Sequence, residues 1–184
     1  MKILAFLQNQ WFDDPEGVKA MLNRQRECGE YTQEQMRERV RRRLIHYALF
    51  AGCLTGRRLK QVFGEMTNKI IWEEGSREIG GKASSFFPPD DAHIIATVGT
   101  EMPDIILCFG SANRKVMQSR FPWPICGFPV IYMPHPAARH ATVMDELREG
   151  EMAMQILISE KTPYIDPAVI SKRPVIGPPS ERYS

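Results

Sequence analysis

His135 stands between Pro134 and Pro136, directly after the apolar run Pro129-Val130-Ile131-Tyr132-Met133. Each proline fixes its own φ and restrains the residue before it, so the imidazole is presented on a stiff loop. A histidine held in advance can stabilise a developing anion or exchange a proton. A turn histidine satisfied by backbone groups is the competing reading. Arg139, four residues on, can meet a phosphate or make a surface ion pair. A second polar group follows the first apolar run. The amides of Gln8, Asn9 and Gln10 can orient a water or bind the edge of a base, and Trp11 and Phe12 offer flat faces for stacking. Asp13 and Asp14 are candidate general bases or helix-start residues ahead of Pro15. A third group, Glu73 and Glu74, closes another apolar run. A carboxylate there that faced a cleft would accept hydrogen bonds from an amino group. At least one of the two is expected to be an exposed strand-end carboxylate.

Other chemistries lack their residues. Cys28, Cys53, Cys108 and Cys126 form no CxxC pair, and His46, His93 and His140 have no metal-ligand spacing. Cys53 and Cys108 lie in apolar runs and read as small core residues, and His46 as a core-edge histidine. There is no Walker loop, GxSxG elbow or HExxH. The glycines and lysine of Gly80-Gly81-Lys82-Ala83-Ser84-Ser85 have the wrong spacing for a P-loop. Neither a metal nor a cofactor is expected.

Short continuous apolar runs must position these groups. Ile3–Leu7, Ile70–Trp72, Ile105–Phe109 and Val130–Met133 have the pattern of strands buried on both faces. Helical segments separate them: from about Glu16 to Arg26, Thr32 towards Ala51, Thr55 to a stop at Gly64, Asp90 or Asp91 to Gly99, and Ala112 to Met117. A further helix follows from Thr142 to Ile158. Gln8–Pro15 and Gly75–Pro89 read as loops. Alternation of this kind predicts a three-layer α/β/α domain around a central, mainly parallel four-stranded sheet. Ligands of such sheets bind beyond the carboxyl ends of the strands. The loops beginning at Gln8, Glu73, Gly110 and Pro134 therefore share one edge.

The domain is expected over residues 1–160, with a Pro-rich tail over 161–184. A length of 184 residues and 43% hydrophobic content suffice for one core without disulfide staples. Net charge is only +2, but Arg37, Arg39, Arg41, Arg42 and Arg43 fall within seven residues, followed by Arg57, Arg58 and Lys60. The run suits either a polyanion or a solvated helix face. Met1-Lys2 leads straight into a strand-like run, and no apolar stretch approaches a membrane span. A soluble cytoplasmic protein without a membrane partner is the expectation.

The order of these pieces resembles the uracil-DNA glycosylase superfamily. Val130 to Arg139 looks like that family's final strand and His-Pro-Ser-type loop, and Gly56-Arg57-Arg58-Leu59 resembles its Gly-x-x-Leu helix. The likeness covers roughly residues 1 to 150. It implies a DNA base glycosylase acting on a flipped nucleotide. Gln10 or Asn9 would position water and His135 would stabilise the departing base. Gln8, Trp11, Phe12, Glu73 and Glu74 would form the base pocket. Ser111, Pro134, Pro136, Ala137, Ala138, Arg139, Arg57 and Arg58 would meet DNA. The first motif departs from the family: Gln8 stands where a glycine is expected, Gln10 at the catalytic Asp or Asn, and Trp11 at a proline. A carboxylate from Glu73 or Glu74 near the position of the uracil-reading asparagine implies a base with an exocyclic amine, or a modified base. Binding without excision, base modification, and action on free nucleotides are the alternative readings.

Overall fold

Five consecutive apolar residues with no polar alternation can be buried only if both faces of their strand are covered. Ile3–Leu7 (β1) meets that condition, and every side chain in it is buried. The computed structural model describes residues 1–8, Arg42, Ile45, His46, Leu49, Phe50, and residues 52–78, 87–110 and 128–159, with backbone alone at 10–11, 79–80 and 160. The expected helices at 16–26 and 112–117, most of that at 32–51, the segment Gly81–Ser85 and the tail 161–184 lie outside the described residues.

Beside β1, Ile70–Glu74 (β2), Ile105–Phe109 (β3) and Val130–Met133 (β4) complete a four-stranded sheet in the order β2-β1-β3-β4. Every pairing is parallel, with Ile3 opposite both Ile70 and Ile105, and Leu107 opposite Ile131. The predicted sheet is therefore the observed one. Its helices lie on both faces. Leu54–Phe63 (α1) and Val143–Glu160 (α3) bury Leu59, Phe63, Leu147, Met154 and Leu157 against Ile3, Ala5, Leu7, Trp72 and Leu107. Ile45 and Leu49, both helical, join this layer. On the opposite face, Asp91–Glu101 (α2) packs Ile94 and Val98 on Leu4, Phe6, Ile106 and Cys108.

The local signals explain the helix ends. Asp90 accepts from the His93 N–H as the N-cap of α2, and Met102 ends that helix with φ of 46°. Gly64 ends α1 with φ of 51°. At the start of α1 the sequence reading needs correction. Cys53 is exposed rather than in the core; its thiol accepts from the Gly56 N–H and lies 3.2 Å from the Leu49 carbonyl. Cys108 is buried as expected, and burial pushes its thiol pKa up. His46 is exposed, with its ring 4.8 Å from that of Phe50.

Gly56 permits a close approach of α1 to the Leu49 segment. A Cβ built there would fall 1.5 Å from the Leu49 carbonyl oxygen. The Gly56-x-x-Leu59 pair is thus a packing device, with both residues buried.

The loops after β1 and β2 are more ordered than their composition suggests. Gly75 N–H donates to the Leu7 carbonyl, and Gln10 and Trp11 then pair in parallel with Ile79 and Gly80. Two chains leaving adjacent parallel strands run side by side, so their backbone groups can continue the ladder.

Candidate functional site

The strand order places a topological switch between β1 and β3. From β1 the chain crosses to β2 on one side, then returns past β1 to β3 and β4 on the other. The crevice beyond such a switch is where open α/β sheets bind ligands. Gln8 follows β1, Gly110 follows β3, and Pro134-His135 follows β4.

Gly110 has φ of 94°, and its N–H donates to the Met133 carbonyl. A side chain at this position would point into the switch point. A Cβ built on Gly110 would lie 3.6 Å from His135 Cβ, 3.9 Å from His135 Cδ2 and 4.0 Å from Gln8 Oε1. The amide of Gln8 and the imidazole of His135 therefore border one small space kept open by a glycine. The ring edge nearest that space carries Cδ2, the carbon bonded to Nε2.

His135 belongs to a tight turn. Ala138 N–H donates to the His135 carbonyl at 2.8 Å, with Pro136 at the second turn position. Ala137 N–H donates to His135 Nδ1 at 3.1 Å. An accepting Nδ1 carries no proton, so the neutral ring holds its proton on Nε2. Burial also holds the pKa of this histidine below its ordinary value of 6.5. Among the described residues, Nε2 has no protein partner. His135 thus offers one N–H donor and no positive charge at neutral pH. Such a group stabilises negative charge growing on a ligand.

Arg58 was expected to face DNA. Its side chain reaches from α1 to the His135 loop: Nη1 donates to the Pro136 carbonyl at 2.6 Å and to the Ala138 carbonyl at 2.8 Å. Sequence reasoning had no means of pairing residues 78 and 80 positions apart. Arg57 and Arg139 are exposed, Pro136 is buried, and Pro134, Ala137 and Ala138 are half-buried. Of the five-arginine run, only Arg42 lies among the described residues. It turns inward, with Nη2 2.6 Å from Glu101 and Nε 3.7 Å from Glu73.

Neither Glu73 nor Glu74 is an exposed strand-end carboxylate; both are buried. The Glu73 carboxylate accepts from the Glu74 N–H and lies 3.6 Å from His93 Nε2, on the α2 face of the sheet. Counter-charge and a covering helix make that burial tolerable. Residues alternate along a strand, so Glu74 faces the α1 layer, in register with Leu7. His93, which the sequence left without a role, has Nε2 3.1 Å from the Glu74 carbonyl and so fixes the end of β2.

The site therefore unites Gln8 with His135, and Arg58 with the loop that carries His135. Gln10 and Trp11 are placed by backbone only, beside Ile79 and Gly80. Asn9, Phe12 and Ser111 lie outside the described residues. Among the described residues, no group of three or more His, Cys, Asp or Glu side chains could hold a metal ion. No helix among them is long and apolar enough to cross a membrane. Comparison of the chain with protein-family models, curated proteins and solved structures finds no match.

Proposed function

We propose that the chain is a DNA base glycosylase-like enzyme, which takes a flipped nucleotide at this sheet edge and hydrolyses its N-glycosidic bond. One observation carries the reading: a neutral His135, its Nδ1 already accepting and its Nε2–H left to donate, and the Gln8 amide border a glycine-lined space at the switch point. Breaking an N-glycosidic bond sends the electron pair onto the base. A fixed neutral N–H beside the base lowers the energy of that anion without the competing stability of a pre-formed ion pair. Water then adds at the sugar carbon, and its proton leaves with the base. Gln10 or Asn9 would hold that water, and Trp11 or Phe12 would stack on the base.

The resemblance of residues 130–139 to the final motif of the uracil-DNA glycosylase superfamily supports this reading. So does the strand order, which sets β3 between β1 and β4, so that the loops after Leu7 and Met133 meet across Gly110. Glu73 is turned beneath α2 and Glu74 towards the α1 layer, so the expected contact of a carboxylate with an exocyclic amine rests on the place of this pair at the end of β2. The preferred base is therefore an amino-bearing or modified one. Uracil favoured over cytosine-like bases would remove that preference.

A second reading, binding without excision, draws on Gln10. A glutamine amide orients water but cannot take its proton, unlike a carboxylate. End-labelled duplexes bearing uracil, hypoxanthine, cytosine or modified pyrimidines, followed by alkaline cleavage of abasic sites, separate the two. Strand breaks support excision. Salt-sensitive binding with no breaks on any base supports the second reading.

A further inference from the structure

We propose that Arg58 is a positioning residue for His135, bracing its loop from α1 so that the ring edge carrying Cδ2, and Nε2 next to it, stays beside the space over Gly110. The proposal rests on the reading of His135 as the donor of the site. Pro134 and Pro136 stiffen the loop internally, but stiffness alone does not set its orientation on the sheet. That orientation needs an external tie, and Arg58 supplies one. Its Nη1 carries two N–H groups, one for the Pro136 carbonyl and one for the Ala138 carbonyl. These carbonyls lie on either side of Ala137, whose N–H donates to Nδ1 of the ring. The chain is thus held at both ends of the peptide segment that sets the tautomer. Among the described residues, no carboxylate pairs with the Arg58 guanidinium. The two carbonyls are what its side chain has been placed to meet. Gly56 and Leu59 fix the register of α1 on either side of it, Gly56 against the Leu49 carbonyl and Leu59 in the core.

Both bonds come from one nitrogen held in the guanidinium plane; lysine's ammonium ends one atom short of it on a flexible stem and does not reproduce that placement. Arg58→Lys therefore keeps the charge that a phosphate contact would need, while altering the brace. The test is long-range 1H–15N NMR of the His135 ring across a pH titration, in the wild-type chain, Arg58→Ala and Arg58→Lys, with His135→Gln to assign the signals. The wild type should show one neutral tautomer, protonated on Nε2, and a pKa below 6.5. Both variants should show mixed tautomers and a pKa moved back towards 6.5. Arg58→Lys is the arm to read if circular dichroism shows that Arg58→Ala does not fold. Unchanged His135 signals in a folded variant overturn the proposal, as does a loss confined to the salt dependence of DNA binding. The readout needs no turnover, so it stands apart from the success or failure of the glycosylase reading. Where excision is measurable, kcat should fall on the order of 100-fold, the usual cost of displacing a reacting group by about 1 Å, with KM little changed.

Discussion

Replacing Gly56 by alanine adds one carbon at a point 1.5 Å from the Leu49 carbonyl oxygen and 3.4 Å from the Phe50 Cα. Both neighbours are backbone, so neither can rotate aside. Side-chain carbons rarely approach other heavy atoms closer than 3.0 Å. Relief thus requires α1 and the Leu49 segment to separate by about 1.5 Å, the size of a substantial core distortion. Overpacking of this kind costs about 3 kcal/mol at the upper end of its usual range. Alanine returns about 1 kcal/mol through its better helix propensity. The net loss is about 2 kcal/mol. For a domain of this size that lowers Tm by roughly 4–8 °C. Urea unfolding followed by circular dichroism should show a lower midpoint at an unchanged slope. The same displacement reaches Arg58, two residues along the helix, whose bonds of 2.6 and 2.8 Å would stretch beyond hydrogen-bonding length. His135 mobility should therefore rise together with the loss of stability. An alanine variant as stable as the parent, with His135 unaltered, would refute the close-packing account of Gly56.

His135→Ala should lower excision by roughly 10²–10³-fold if the ring supplies the donor to the leaving base, measured as single-turnover abasic-site formation. The pKa of His135 lies below 6.5 in the folded chain, so the unfolded chain binds the extra proton first as pH falls. The wild type should therefore lose stability on acidification through about 6.5 relative to His135→Gln, until the folded-state value is reached; parallel pH–urea curves would contradict the neutral ring. Glu73→Ala removes the carboxylate beside Arg42 and His93 and the acceptor of the Glu74 N–H, while Arg42 keeps Glu101, and should destabilise by about 2 kcal/mol in urea. A neutral effect would mean that Glu73 is not part of the buried charge cluster.

The four strands are legible because parallel strands covered on both faces cannot alternate, and their apolar runs stand out for that reason. The shared edge of Gln8, Glu74, Gly110 and Pro134 then follows from parallel pairing. What the sequence hides is everything decided across the chain. At least one of Glu73 and Glu74 reads as solvent-facing because carboxylates at strand ends usually are; for Glu73, α2 with His93 and Arg42 reverses that. Cys53 reads as core from its apolar neighbours, whereas it caps a helix from the surface. Arg58 reads as a phosphate ligand because its cluster is basic, and the two carbonyls that its Nη1 meets lie on a loop that the intervening chain brings back.

The sheet order also has a consequence for biosynthesis. β1 is a central strand, flanked by β2 and β3, yet it precedes both in the chain. A ribosome delivers Ile3–Leu7 long before Ile70 and Ile105 exist to pair with it, a delay on the order of ten seconds at ordinary elongation rates. For that time an apolar strand has two open edges, and its α2 face stays bare until Ile94 and Val98 are made. Such a segment is an aggregation template and a natural target for chaperones that bind extended apolar peptide. Yield in the cell should depend on how that interval is protected, more than on the stability of the finished sheet.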